Sequence, residues 1–305
     1  MSTITSTASI NRDSFQALKG QPIAQQLLLG MLQQKRIPNA LLFHGIKGVG
    51  KRTAAKCLIA ATCFPNRSVE MEQIQSIPHP DYLWVEPTCL INKELVNRST
   101  LLSPQLGSNK FSIRIEQARQ ICQVLHPPVQ SPKFWVIIED ADLLTLEAGN
   151  ALLKLIEESP HTTFVLTTSN LNQVLPTILS RCFRIPFSPL YEEVIADILR
   201  LQDGIVLDPS VSQSSSGSVT TAYQLHCLFS EYPQYKELPQ LSSIARILQF
   251  SSSLATLPST SLLLLLQWWS SKATLPQLEQ LERAIRQLKK GGNPQLVLDV
   301  CLMNL

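Results

Sequence analysis

The first residues with legible chemistry are Gly45-Ile46-Lys47-Gly48-Val49-Gly50-Lys51, a GxxxxGK run within 305 residues. Glycines at its first and sixth positions, with Gly48 between them, let backbone N–H groups wrap a phosphate. A helix N-terminus placed behind them favours the negative charge, and Lys51 would reach the outer phosphates. The next position should carry a hydroxyl that ligates magnesium, and here it is Arg52. Thr53 follows, but one residue further on a helix is about 100° around the axis and cannot take over that role. Nucleotide binding is therefore retained as an expectation, while metal-assisted hydrolysis is doubtful.

A second set of charged groups closes an apolar run, Val136-Ile137-Ile138-Glu139-Asp140-Ala141-Asp142. Acids at the C-terminal end of a buried strand stand where an open α/β sheet places its ligands. An NTPase of this kind has Asp and then Glu here, one steering magnesium and the other orienting the attacking water. This chain has Glu139 and then Asp140. Each reach is altered by one methylene, which matters where reactive geometry must hold to under about 1 Å. The bland alternative is a pair of solvated acids at a strand end.

These groups need a sheet and helices to hold them. Ala24 to Gln34 reads as a helix stopped by Pro38, and Ala40 to Phe43 as a short buried strand. Thr53 to Thr62 reads as the helix after the glycine turn. Phe134 to Ile138 and Thr163 to Thr168 are apolar runs without alternation, the pattern of buried parallel strands. Between them Thr145 is a good N-cap, and Leu152, Leu153 and Ile156 mark the buried face of a helix ending before Pro160. Strands alternating with helices imply a parallel sheet covered on both sides. After Pro189 the pattern changes. Tyr191 to Gln202 is helical, Pro209 to Thr221 reads as a loop with six serines, and the remainder reads as helices. The last long helix repeats Leu278, Leu281, Ile285 and Leu288 and ends at Lys289-Lys290-Gly291.

Composition narrows the classes further. Charged residues are 16% and hydrophobic residues 44%, which excludes a disordered or fibrous chain; 11 glycines and 20 prolines exclude a collagen-like one. Net charge is +3, with no Lys/Arg run longer than two, so no basic patch argues for a nucleic-acid partner. The first fifteen residues hold no apolar signal segment, and the aliphatic run Leu262 to Leu266 is far short of the ~20 residues that span a bilayer. A cytoplasmic protein without membrane contact is expected. The seven cysteines are scattered with no CxxC pair, so neither a disulfide framework nor a zinc site is expected.

The order phosphate loop, acidic strand, Asn150-Ala151-Leu152-Leu153-Lys154-Leu155-Ile156-Glu157-Glu158, then Ser180-Arg181-Cys182 resembles the AAA+ clamp-loader subunits of bacterial DNA polymerase III. His79-Pro80-Asp81-Tyr82 and Asn293-Pro294-Gln295-Leu296 also match. The resemblance covers about residues 15–190, and more weakly 270–305. It implies an AAA+ P-loop domain over 1–188, a small helical lid over 189–229, and an all-helical oligomerisation domain over 230–305.

Two kinds of subunit in this family carry Ser-Arg-Cys. Gamma/tau is the motor that hydrolyses ATP; delta-prime has an impaired site but presents its arginine to the next subunit. Arg52, the Glu139-Asp140 order, and Thr220 where an active lid would carry a sensor arginine all resemble delta-prime. By that resemblance Arg181 is an arginine finger acting in trans, with Ser180 and Cys182 holding its turn. A guanidinium suits the task because it is planar, always charged and bidentate. The implied partners are gamma/tau and delta subunits in a heteropentamer, the sliding clamp and primed DNA. The implied ligand is ATP or ADP held without efficient hydrolysis. A gamma/tau-like motor is the alternative, and a self-assembling ring is disfavoured by the same defect. Relatives that bind zinc insert a four-cysteine module where this chain has only Cys57 and Cys63, with Cys89 beyond, so no zinc is implied. The strand end Thr168-Ser169-Asn170 matches the position of the γ-phosphate sensor in active relatives, without singling out one of the three, and reads equally as a plain strand-ending turn. Trp268 and Trp269 read equally as an intersubunit anchor or as core.

Overall fold

Unalternated apolar runs end up where both faces of a sheet are covered. The computed structural model describes residues 12–64, 73–75, 79–91, 94–101, 110–125, 133–239 and 243–305. Its strands are β1 (Ala40–His44), β2 (Tyr82–Val85), β3 (Thr88–Ile91), β4 (Glu94–Asn97), β5 (Phe134–Ile138), β6 (Thr162–Thr168) and β7 (Phe183–Pro186). Five of them form one parallel sheet in the order β2-β5-β6-β1-β7, and β3 and β4 pair as a separate antiparallel hairpin. The helices are α1 (Pro22–Gln33), α2 (Lys51–Cys63), α3 (Ile115–Leu125), α4 (Leu146–Glu158), α5 (Pro176–Leu179), α6 (Glu192–Asp203), α7 (Pro209–Ser214), α8 (Val219–Glu231), α9 (Ile244–Ala255), α10 (Ser259–Ser270), α11 (Leu275–Lys289) and α12 (Pro294–Met303).

The period of two along each strand divides the core into two layers. Leu41 and Phe43 of β1, with Trp135 and Ile137 of β5, pack against Leu28 of α1 and Leu58 and Ile59 of α2. Ala40 and Leu42, with Val136 and Ile138, pack against Ile121 of α3, Leu152 and Ile156 of α4 and Ile178 of α5. The expected helix-covered parallel sheet is therefore present. Thr145 caps α4 as its sequence suggests, accepting from the Ala148 N–H at 3.3 Å.

The chain divides into two compact units, with the break between Leu190 and Tyr191. Within 191–305 the expected boundary at 229/230 is not a break in packing. Val211, Leu225 and Leu228 share one core with Leu265, Trp268, Leu281 and Leu298, and the Phe229 ring lies 4.8 Å from that of Trp268. Trp268 and Trp269 are 2% and 1% exposed, and their indole N–H groups donate to the carbonyls of Lys236 (2.7 Å) and Tyr235 (2.9 Å). Of their two readings, core is the correct one; buried and satisfied on this chain, they are not an intersubunit anchor.

The serine-rich stretch also differs from expectation. It is not one loop, because Asp208 caps the short helix α7 through Ser210, and Ser218 caps α8 through the Thr221 N–H. Buried Ser212 and Ser215 spend their hydroxyls on the carbonyls of Glu192 and Ser212, which makes serine affordable inside. The long helix α11 ends as expected, with Gly291 at φ +85° and the Gly292 N–H returning to Gln287 O at 3.0 Å.

β1 runs into the glycine turn between two fixed neighbours. The Phe187 N–H donates to His44 O at 2.8 Å, and Gly45 passes so close that a Cβ on it would stand 2.2 Å from Phe187 O. Gly45→Ala is expected to cost about 2 kcal/mol or more, since backbone on both sides must shift. Gly204→Ala, at φ +66° with open space around it, should cost only about 1 kcal/mol. Urea denaturation of both variants checks this; equal losses would contradict the crowding at Gly45.

Candidate functional site

The loop keeps the backbone shape its glycines suggest. Gly45, Gly48 and Gly50 have φ of +152°, +79° and +99°, and Gly50 stands at the N-cap of α2. These are conformations in which L side chains are strained. A buried residue outside the motif fixes the loop from below. Gln21 donates from Nε2 to Val49 O (3.1 Å) and Ser188 O (2.7 Å), and its Oε1 accepts from the Ser188 N–H at 3.1 Å. Nothing in local spacing marks Gln21; only the fold brings residues 21, 49 and 188 together.

Lys51 is turned back onto its own loop. Its Nζ donates to Gly45 O (2.5 Å), Ile46 O (2.7 Å) and Ser169 Oγ (3.2 Å). Burial is the main reason its pKa falls to about 8; Asp140 and Asp142 pull it upward and Lys47 pushes it down. Of the three residues matched to the γ-phosphate sensor, Ser169 is the one on the lysine. Thr168 instead donates to Asp142 Oδ1 at 2.7 Å. To meet a phosphate, Lys51 would exchange loop carbonyls for phosphate oxygens.

The position of the missing hydroxyl is filled by a salt bridge. Arg52 Nη2 donates to Glu139 Oε2, joining the first turn of α2 to the end of β5. Glu139 is 3% exposed and also accepts from Trp84 Nε1 at 2.9 Å. Asp140, held at φ +49° with its N–H on Thr167 Oγ1, is paired with Arg98 Nη1 at 2.5 Å; Arg98 Nη2 also lies 3.6 Å from Glu139. Thr53 sits one position further along α2, half-buried. Magnesium needs six oxygen ligands at about 2.0–2.1 Å in near-octahedral array. Here both carboxylates already hold guanidinium groups, and Arg52 places a positive charge where the hydroxyl ligand should be. The residues present fit the phosphates of a nucleotide in their backbone shape, and they do not fit its magnesium ion. Arg98 was not recognisable from the sequence, because it lies outside every motif and meets Asp140 only through the fold.

Arg181 follows α5 on an open part of the surface. Its Nε bonds Glu157 Oε1 at 2.5 Å, its Nη1 bonds Thr177 O at 3.2 Å, and its side chain is 41% exposed. Glu157 belongs to the same Asn150–Glu158 segment that the sequence singled out. Ser180 Oγ donates to Thr177 O at 3.0 Å. Cys182 packs partly buried against the core layer that holds Leu42, Ile138 and Ile178, its thiol pushed up to about 11 by burial. Both neighbours thus brace the turn that exposes Arg181. Thr220 lies in the first turn of α8.

Among the described residues no group of three or more His, Cys, Asp or Glu converges as a metal site, and no helix is long and apolar enough to cross a membrane. Part of the interval between Cys63 and His79 lies outside the described residues.

The lowered pKa of Lys51 fixes a pH dependence. Below about 8 both folded and unfolded chains carry the proton, and the folded state bears the full cost of a desolvated ammonium. Between about 8 and the ordinary 10.5 the folded chain releases that proton first, so stability relative to Lys51→Met should rise with pH across this window. The gain should be on the order of 2 kcal/mol. Urea denaturation of both proteins from neutral to alkaline pH measures it, and a constant difference would contradict the buried ammonium.

Comparison with known proteins places this geometry. The family described as "DNA polymerase III, delta subunit" matches residues 20–191. The DNA polymerase III subunit delta' of Bacillus subtilis (strain 168) is 33% identical over 192 residues, covering 60% of this chain and 52% of that protein. The gamma/tau subunit of Mycoplasma genitalium is 27% identical over 192 residues, covering 62% of this chain and 30% of that one. The chain thus spans about half the length of the first relative and less than a third of the second. In three dimensions a DNA polymerase III gamma subunit-related protein of Thermotoga maritima is alike over 92% of this chain and 97% of that one, at a TM-score of 0.51 and 18% identity, a likeness of fold. With more than half of its residues inside the family match, and the phosphate loop, the acidic strand end and the Arg181 turn all within it, the chain belongs to the DNA polymerase III delta-subunit family of clamp-loader proteins.

Proposed function

We propose that this chain is a clamp-loader subunit of the delta-prime type. It is mainly structural, sits in a heteropentamer with gamma/tau and delta subunits, and supplies Arg181 in trans to a neighbour's ATP during loading of the sliding clamp onto primed DNA. The observation that carries this reading is the Arg52–Glu139 salt bridge, which fills the place of the metal that a motor needs at its own loop. ATP or ADP held at residues 45–53 without efficient hydrolysis is compatible with it.

The surroundings of Arg181 support the donor role energetically. Its pairing with Glu157 is between two half-exposed side chains, the class of ion pair worth ~0–1 kcal/mol. Turning the guanidinium away from Glu157 towards a neighbour's phosphate therefore costs little. The phosphoryl charge that it meets is larger and better matched to its planar fork. The gamma/tau-like motor remains the second reading, because gamma/tau relatives match a similar stretch at 27–30% identity.

The test is magnesium-dependent ATP hydrolysis by the purified chain, alone and mixed with a gamma/tau subunit and delta. The expected result is no turnover alone, and turnover in the mixture that falls at the site facing Arg181 by up to ~10³ in Arg181→Ala. Arg181→Lys should not restore it, since an ammonium lacks the bidentate fork. Size-exclusion chromatography should show that both variants still assemble. Robust turnover by the chain alone would overturn the reading in favour of the motor.

A further inference from the structure

Arg98 has no place in any nucleotide-binding motif, yet the structure fixes it with unusual care. It follows β4, and its N–H donates to Pro87 O at 3.1 Å. Its neighbour Ser99 is fastened twice to buried Glu86, through the backbone N–H at 2.9 Å and through Oγ at 2.6 Å. Gln117 of α3 donates to Glu86 O at 2.8 Å, tying that carboxylate's own backbone to the helix layer. The result is a guanidinium with a fixed root and a side chain only 21% exposed, lying between Asp140 and Glu139. Arg52 reaches one of the same two carboxylates, Glu139, from α2.

We propose that Arg52 and Arg98 together are a built-in substitute for the divalent cation, a guanidinium pair that keeps the acidic strand end neutralised and closed to metal. Two carboxylates and two guanidiniums balance as two carboxylates and one divalent ion would. A guanidinium does not lose its proton at any accessible pH, so the positive charge it supplies is permanent. Each arginine alone still places a positive charge on a carboxylate, Arg98 being within 4 Å of both. Removing one therefore leaves the metal position blocked, and only loss of both opens it. Arg98 is a positioning residue in this scheme: it acts on Glu139 and Asp140 and fastens the hairpin to the sheet. The inference deepens the non-motor reading above and rests on it.

Manganese alone serves as the probe, its binding to the full chain followed by electron paramagnetic resonance. Wild type, Arg52→Ser and Arg98→Ala should show no binding that depends on Glu139. The double variant Arg52→Ser/Arg98→Ala should bind one ion at least about tenfold more tightly than wild type, and adding Glu139→Gln should abolish the gain. Manganese should also raise the thermal midpoint of the double variant and leave that of wild type unmoved. Glu139-dependent binding by wild type would overturn the proposal, as would a folded double variant that binds none. If the double variant does not fold, Arg98→Gln decides: a lowered midpoint without manganese binding supports the lock, and an unchanged midpoint contradicts it. Manganese binding at Glu139 in a chain whose Arg181→Ala variant still silences its neighbour would remove the lock alone. A silent manganese titration with an inert Arg181 would instead remove the subunit reading alone.

Discussion

A carboxylate buried at the end of a central strand must be neutralised, and this requirement organises the rest of the site. Glu139 is almost without solvent contact, and an unpaired charge there would cost several kcal/mol. A magnesium ion bound there with a nucleotide would meet part of that need. Here a side chain from the first turn of α2 meets it directly, with Trp84 and Arg98 as further partners. The same residue that stands where a hydroxyl ligand is expected thus supplies the countercharge to the buried carboxylate.

That arrangement depends on backbone held from several directions. β1 is flanked on both sides, its end is crowded by Phe187, and Gln21 pins Val49 to Ser188. The loop therefore keeps its phosphate-binding shape whether or not it serves a motor. Arg181, by contrast, is held by one exposed ion pair and one carbonyl, while Ser180 and Cys182 brace the turn beneath it. The contrast lies in the acids rather than in the arginines: Glu157 is 53% exposed, whereas Glu139 and Asp140, which hold Arg52 and Arg98, are 4% and 20% exposed.

The parts of this structure legible in the sequence are those set by local pattern. The glycine spacing at 45–51, the unalternated runs of β1, β5 and β6, and the cap at Thr145 each declare themselves within a few residues. The edge strand β2, the β3–β4 hairpin and α3 did not, because their patterns are short and their burial comes from distant segments. The serine-rich stretch concealed α7, since buried serines satisfied by nearby carbonyls look the same in sequence as solvated ones. Within the site, Arg52 was legible as a defect, but its partner was not. Arg98, Trp84 and Gln21 were invisible for the same reason: each acts across dozens of residues, and only the sheet order brings them to the loop.

The central claim is that Arg52 and Glu139 act as one unit in place of a metal. A double-mutant cycle of Arg52→Ala and Glu139→Gln, read by urea denaturation with and without magnesium chloride, tests it most directly. The account predicts a coupling energy of about 1–3 kcal/mol that magnesium does not change. Additive losses, or a wild-type chain stabilised by magnesium through Glu139, would contradict it.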